Sequence, residues 1–182
     1  MAPPRAQLQE VGLMKEEPIY VCDADALINL YQHFPNKFRA LRDMVARNKV
    51  KIPEGVYREL RRKTDRLRRY VERWERDYQF VIRFKDRRLR EELARIERKY
   101  GERIAVGKRA YNGFWSSRAG RRSADPQVVA VGKVRGGIVV SDDLAVRMVC
   151  MLEGVECIGW SEFARRIRLA EQLALFQNRK GG

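Results

Sequence analysis

Ile19-Tyr20-Val21-Cys22-Asp23-Ala24-Asp25-Ala26-Leu27-Ile28-Asn29-Leu30 is the stretch that decides how this chain folds. Its first four residues are apolar without a break and favour β structure, the pattern of a strand buried on both faces of a parallel sheet. An acid closes the run, and Ala24 to His33 then reads as a helix. Downstream, Phe38, Leu41, Met44 and Val45 recur at helical spacing, and Val50-Lys51-Ile52 is a short strand ending at Pro53. The same alternation returns near the C-terminus. Asp125-Pro126 opens a helix to about Arg135, with Asp as N-cap and Pro at the first position. Ile138-Val139-Val140 is a strand closed by Ser141-Asp142-Asp143, a helix covers Leu144 to Leu152, Val155 to Ile158 is a strand, and Ser161 caps a last helix over 160–180. Strands alternating with helices predict a three-layer α/β fold, a central twisted parallel sheet of four or five strands with helices on both faces.

The middle of the chain has a different chemistry. Residues 58–122 hold 23 Lys+Arg against 10 Asp+Glu, so they carry +13 of the chain's net +15. Leu60, Leu67, Val71, Trp74 and Tyr78 share one helical stripe, Phe80 to Phe84 breaks it, and Leu89, Leu93, Ile96 and Tyr100 start another. This predicts an Arg-rich helical insertion interrupting the sheet. A loop is expected over 101–122, where Gly101, Gly107, Gly113 and Gly120 fall. Residues 1–17 read as a flexible tail, and 1–182 as a single domain.

Scarce residues exclude several functions. One histidine, His33, rules out a multi-histidine metal site and reads as a helix-end residue. The three cysteines, Cys22, Cys150 and Cys157, lack C-x-x-C spacing and sit in apolar stretches, as buried thiols do in a reducing cytoplasm. No apolar run reaches the ~18–20 residues of a membrane span, and the first residues lack the apolar core of a secretion signal. Hydrolytic chemistry here must therefore run on carboxylates and on a metal they hold.

The carboxylates fall where such chemistry needs them, since sites in open α/β sheets lie at the carboxyl ends of the strands. Asp23 and Asp25 follow the first strand, Glu54 and Glu59 the second, and Asp142 and Asp143 the Ile138–Val140 strand. The helix from Asp125 runs back to that strand, so its start points to the same edge. Crowded acids repel one another unless a cation sits among them, and oxygen-only donors select Mg²⁺ or Mn²⁺. Each acid also has a purely structural reading: Asp125, Asp142 and Asp143 as helix caps, Glu59 as a solvated partner of Lys63.

At these residues the sequence resembles the PIN-domain nucleases. IYVCDADALINL resembles their opening motif, IPEGVYREL the second, and SADPQVVAVGKVRGGIVVSDD the third and fourth. The likeness covers 19–60 and 121–168 and leaves 61–120 aside. It implies a PIN-like fold and a metal quartet of Asp23, Glu59, Asp125 and Asp143, with Ser141 orienting it. It also implies a two-metal endoribonuclease, either the toxin of a toxin–antitoxin pair or an RNA-processing enzyme of the protein-only ribonuclease P type, with a homodimer expected. Asp25 and Asp142 depart from the pattern by adding charge, and each could be the true ligand of its pair. Two other classes stand beside this one. A haloacid dehalogenase-like phosphatase would use Asp23 as nucleophile and Asp25 as acid/base, although Ile52-Pro53 replaces its second-strand Ser/Thr and Ala26-Leu27 its Gly-Thr turn. A PIN-like protein without catalysis would only bind RNA.

An arginine-dominated polyanion site fits RNA phosphates. Around the expected loop, cations alternate with aromatics, which suits unpaired nucleotides and nominates Arg109, Trp115, Arg118, Arg121 and Arg122 as RNA contacts. Phe114 and Trp115 could instead anchor the loop to the core.

Overall fold

A computed structural model describes residues 16–115 and 124–169. Five short strands form one parallel sheet in the order β3-β2-β1-β6-β7, flanked by helices. They are β1 (Tyr20–Cys22), β2 (Val50–Pro53), β3 (Val81–Ile82), β6 (Ile138–Val140) and β7 (Cys157–Ile158). A separate antiparallel hairpin joins β4 (Arg103–Val106) to β5 (Arg109–Asn112). The helices are α1 (Ala24–His33), α2 (Phe38–Ala46), α3 (Glu54–Arg61), α4 (Arg66–Tyr78), α5 (Arg87–Gly101), α6 (Asp125–Arg135), α7 (Leu144–Glu153) and α8 (Trp160–Arg166).

β1 is central because its three residues are all buried, and it pairs on one side with β2, Tyr20 opposite Val50, and on the other with β6, Cys22 opposite Val140. Two helices stop at left-handed glycines, α6 at Gly136 (φ 61°) and α7 at Gly154 (φ 68°), where a side chain would strain the turn.

The predicted α/β class is what the chain forms, and of the four or five strands expected the parallel sheet has five. Four local expectations differ. The basic segment is built into the sheet rather than inserted beside it. Val81–Ile82, inside the stretch read as a break, is an edge strand parallel to β2, and Val71, Trp74, Phe80, Leu89 and Ile96 belong to the shared core. A two-residue strand is too short to show a period. The loop over 101–122 contains the β4–β5 hairpin, turning at Gly107 with φ 61°. Asp125 is the first helical residue of α6, and Ala124 is the N-cap, so Pro126 takes the second position. The last helix starts at Trp160 after Gly159, and the chain turns out of it at Arg168 (φ 65°), so 160–180 is not one unbroken helix.

A buried acid joins the middle segment to the rest. The Glu153 side chain, 2% exposed at the end of α7, accepts hydrogen bonds from Arg95, Lys99 and Tyr100 of α5 and from Lys133 of α6. These cations hold its carboxyl well below the usual range against the opposing effect of burial.

Candidate active site

Asp23 leaves the sheet as its last bonded residue, its N–H donating to the Val140 carbonyl at 3.1 Å. It then caps α1, its carboxylate accepting from the Ala26 N–H at 2.7 Å. An N-cap bond ordinarily depresses a carboxyl. Here burial pushes Asp23, only 5% exposed, from the usual 3.8 up to about 7. The Ser141 hydroxyl and the Ala26 N–H oppose the rise, while the charges of Asp25 and Asp125 add to it.

Glu59, half-buried near the end of α3, is raised first by burial and then by the charge of Asp125, with Asp25 adding and the Ala124 N–H and Arg62 opposing. What sets α3 against the start of α6 is a contact between Gly55 and Gln127. The Gly55 N–H donates to Gln127 Oε1 at 2.8 Å. A Cβ on Gly55 would lie 2.7 Å from that oxygen and 3.0 Å from the Ala124 Cβ, so a larger residue would displace the Gln127 side chain. Neither residue was singled out from the sequence. The available signal was a helix-disfavouring glycine one turn before an acid, together with a glutamine two residues after another.

Asp23, Asp25, Glu59 and Asp125 thus form one electrostatically coupled set. The Ser141–Asp142–Asp143 turn beside it divides its work differently. Ser141 is fully buried, and its Oγ accepts from the Asp143 N–H at 3.1 Å while its hydroxyl faces Asp23. Asp143 caps α7, accepting from the Val146 N–H at 3.0 Å. Asp142 is exposed and turns to α8, accepting from the Trp160 N–H at 2.9 Å, and a Cβ on Gly159 would lie 2.4 Å from its Oδ1. So Asp142 pins a helix start, while Asp25, the other acid that departs from the pattern, acts on Asp23 and Glu59. Among the described residues, no three Asp, Glu, His or Cys side chains converge into a preformed metal cage.

The RNA contacts nominated from the sequence fare unequally. Trp115 is a correction: it is 9% exposed, and its Nε1 donates to the Ile96 carbonyl at 3.1 Å, so it anchors the segment after the hairpin to α5 and has no free ring face for a base. Arg109 opens β5 and is exposed. Arg118, Arg121 and Arg122 lie outside the described residues. His33 lies at the end of α1 as expected, its Nδ1 2.8 Å from the Asn29 carbonyl. No described helix is long and apolar enough to cross a membrane.

The chain belongs to a family described as a domain of unknown function, DUF4411, whose sequence model matches residues 20–170. No curated protein matches it by sequence. Among solved structures it is similar to PAE2754 from Pyrobaculum aerophilum at 16% identity and a TM-score of 0.46, over 84% of this chain and 98% of that one. It is similar to VapBC2 from Rickettsia felis, bound to a DNA fragment from its promoter, at 11% identity and a TM-score of 0.46, over 78% and 98%. The PIN domain of RRP44 from T. brucei is similar at 13% identity and a TM-score of 0.45, over 89% and 87%.

Proposed function

We propose that this protein is a metal-dependent endoribonuclease. The observation that supports it is the rim at the carboxyl ends of β1 and β2. There a buried Asp23 is held near neutrality by burial and by Asp25 and Asp125, and Glu59 is raised in the same surroundings. Asp23, Asp25 and Glu59 form no ion pair among the described residues, and Arg62 only partly offsets the rise at Glu59. Oxygen donors in that condition fit a hard divalent ion, Mg²⁺ or Mn²⁺. Asp23, Glu59 and Asp125 would hold it, with Asp25 beside them and Asp143 linked to Asp23 through Ser141. When bound, such an ion supplies Lewis-acid stabilisation of the phosphodiester oxygens and a more acidic water. The chain's own groups prepare the rim. Ser141 and the Ala26 N–H orient Asp23, and the amino end of α6 favours negative charge on Asp125. Asp23 must give up its proton to serve as a ligand.

The resemblance to PIN-domain nucleases extends the proposal to RNA as substrate, to an antitoxin as protein partner and to a homodimer. The test is incubation of labelled single-stranded RNA with the protein in Mn²⁺, Mg²⁺ or EDTA. Cleavage leaving 5′-phosphates, with either ion and not with chelator, is expected. Undiminished cleavage in EDTA, or a trapped phosphoryl adduct on Asp23, would overturn it.

A further inference from the structure

One face of α4 carries three arginines that form no ion pair among the described residues. Arg66, Arg69 and Arg73 line a cleft of about 270 Å³ together with Tyr70. Their spacing, i, i+3, i+4 and i+7, puts all four on one helical stripe. Other arginines nearby are compensated within the chain: Arg68 and Arg61 both bond Glu72, at 2.9 and 3.1 Å, and Arg76 bonds Asp77 at 3.0 Å. Arg66, Arg69 and Arg73 are exposed and form no hydrogen bond or ion pair among the described residues. Like charges one turn apart weaken a helix by a few tenths of a kcal/mol per pair, a cost that a bound anion removes.

The floor of the cleft is fixed. The Tyr70 ring packs against Phe38 (5.3 Å between centroids), Trp74 (5.9 Å) and Tyr31 (6.1 Å), so it cannot swing away. That last contact reaches α1, the helix capped by Asp23. Tyr31 lies eight residues beyond Asp23, about 12 Å along the helix axis. The geometry points to this cleft as a phosphate-binding track for single-stranded RNA, set beside the end of α1 opposite its Asp23 cap. The identity of the polyanion rests on the ribonuclease reading; the existence of an anion track rests on the uncompensated arginines alone. Guanidinium forks rather than ammonium groups favour phosphate oxygens gripped in pairs.

The experiment is fluorescence anisotropy of a labelled oligouridylate against salt, in EDTA so that no turnover enters. The proteins are wild type, the triple variant Arg66→Gln/Arg69→Gln/Arg73→Gln, and the charge-matched Arg87→Gln/Arg88→Gln/Arg90→Gln on α5. Each phosphate contact contributes about 0.7 to the salt slope, so losing three should lower it by about 2. Between about 50 and 200 mM salt, wild-type affinity should therefore fall roughly 20-fold more than that of the α4 triple. The α5 triple should keep most of the wild-type slope. Equal losses in both triples, or no RNA binding by wild type, would overturn the track. A polyglutamate competitor as effective as unlabelled RNA would reassign the cleft to an acidic peptide. Arg→Lys at all three positions keeps the charge, so it should hold the slope while weakening binding, and it covers the case in which the Gln triple does not fold. Binding with the expected slope but no metal-dependent cleavage would sink the nuclease reading and leave the track standing.

Discussion

Asp23 and Glu153 are two carboxylates with side chains withdrawn from solvent and opposite fates. Asp23 is 5% exposed and its carboxyl is pushed up to about 7; the Glu153 side chain is 2% exposed and its carboxyl is held well below the usual range. Burial acts in the same direction on both. The difference is the company the fold delivers: Arg95, Lys99 and Lys133 around Glu153, Asp25 and Asp125 around Asp23. One acid is neutralised from within and serves structure. The other meets like charges instead and keeps its proton up to about neutral pH.

Three changes would sharpen or break that contrast. The largest effect belongs to Asp125→Asn, which removes a rim charge and keeps the shape. RNA cleavage should fall about 100-fold or more, with stability changed by under about 0.5 kcal/mol, measured by turnover and urea unfolding. A loss of stability matching the loss of activity would make Asp125 another structural acid. Next is Glu153→Gln, which strands Arg95, Lys99 and Lys133. Those cations are 39%, 54% and 36% exposed, so solvent softens the loss, and about 2 kcal/mol at neutral pH is expected from urea unfolding, with any Mn²⁺ response of the fold retained.

The smallest effect separates the two acids by pH. A carboxyl raised to about 7 in the folded chain contributes stability below about pH 4 that is lost as pH rises to about 7. A depressed one contributes above its ordinary value near 4.5 and loses that as the solution becomes more acid. Asp23→Asn should therefore raise the metal-free Tm by about 4 °C at pH 7.5 and leave it unchanged at pH 4, since Asn caps a helix as well as Asp. Glu153→Gln should lower the Tm at pH 7.5 and progressively less toward pH 3. Parallel curves for the two variants would erase the distinction.

The parts of this contrast that lie along one stretch of chain were legible. A continuous apolar run ending in Asp23 announces a buried strand and an acid at its carboxyl end, and the Asp125–Arg135 helix has the length to return to the same edge. Parts set by side-chain direction were not. Asp142 and Asp143 are adjacent letters, and only the pull of the Trp160 N–H on one and the Val146 N–H on the other tells them apart. The partners of Glu153 come from 20 to 58 residues away, a separation at which sequence spacing says nothing about contact. Trp115 read equally as a base-stacking residue and as an anchor, because the partner that decides for the anchor, the Ile96 carbonyl, is backbone and leaves no mark in the sequence.

Because Glu153 closes α7 and grips α5 at Arg95, Lys99 and Tyr100 and α6 at Lys133, those three helices share a single fastening. Fraying of α5 would uncover the Glu153 carboxylate on α7, so the amides of α5 are expected to exchange with solvent through the same cooperative opening as those of α6 and α7. The basic middle of the chain, however distinct its composition, shares the core of the sheet.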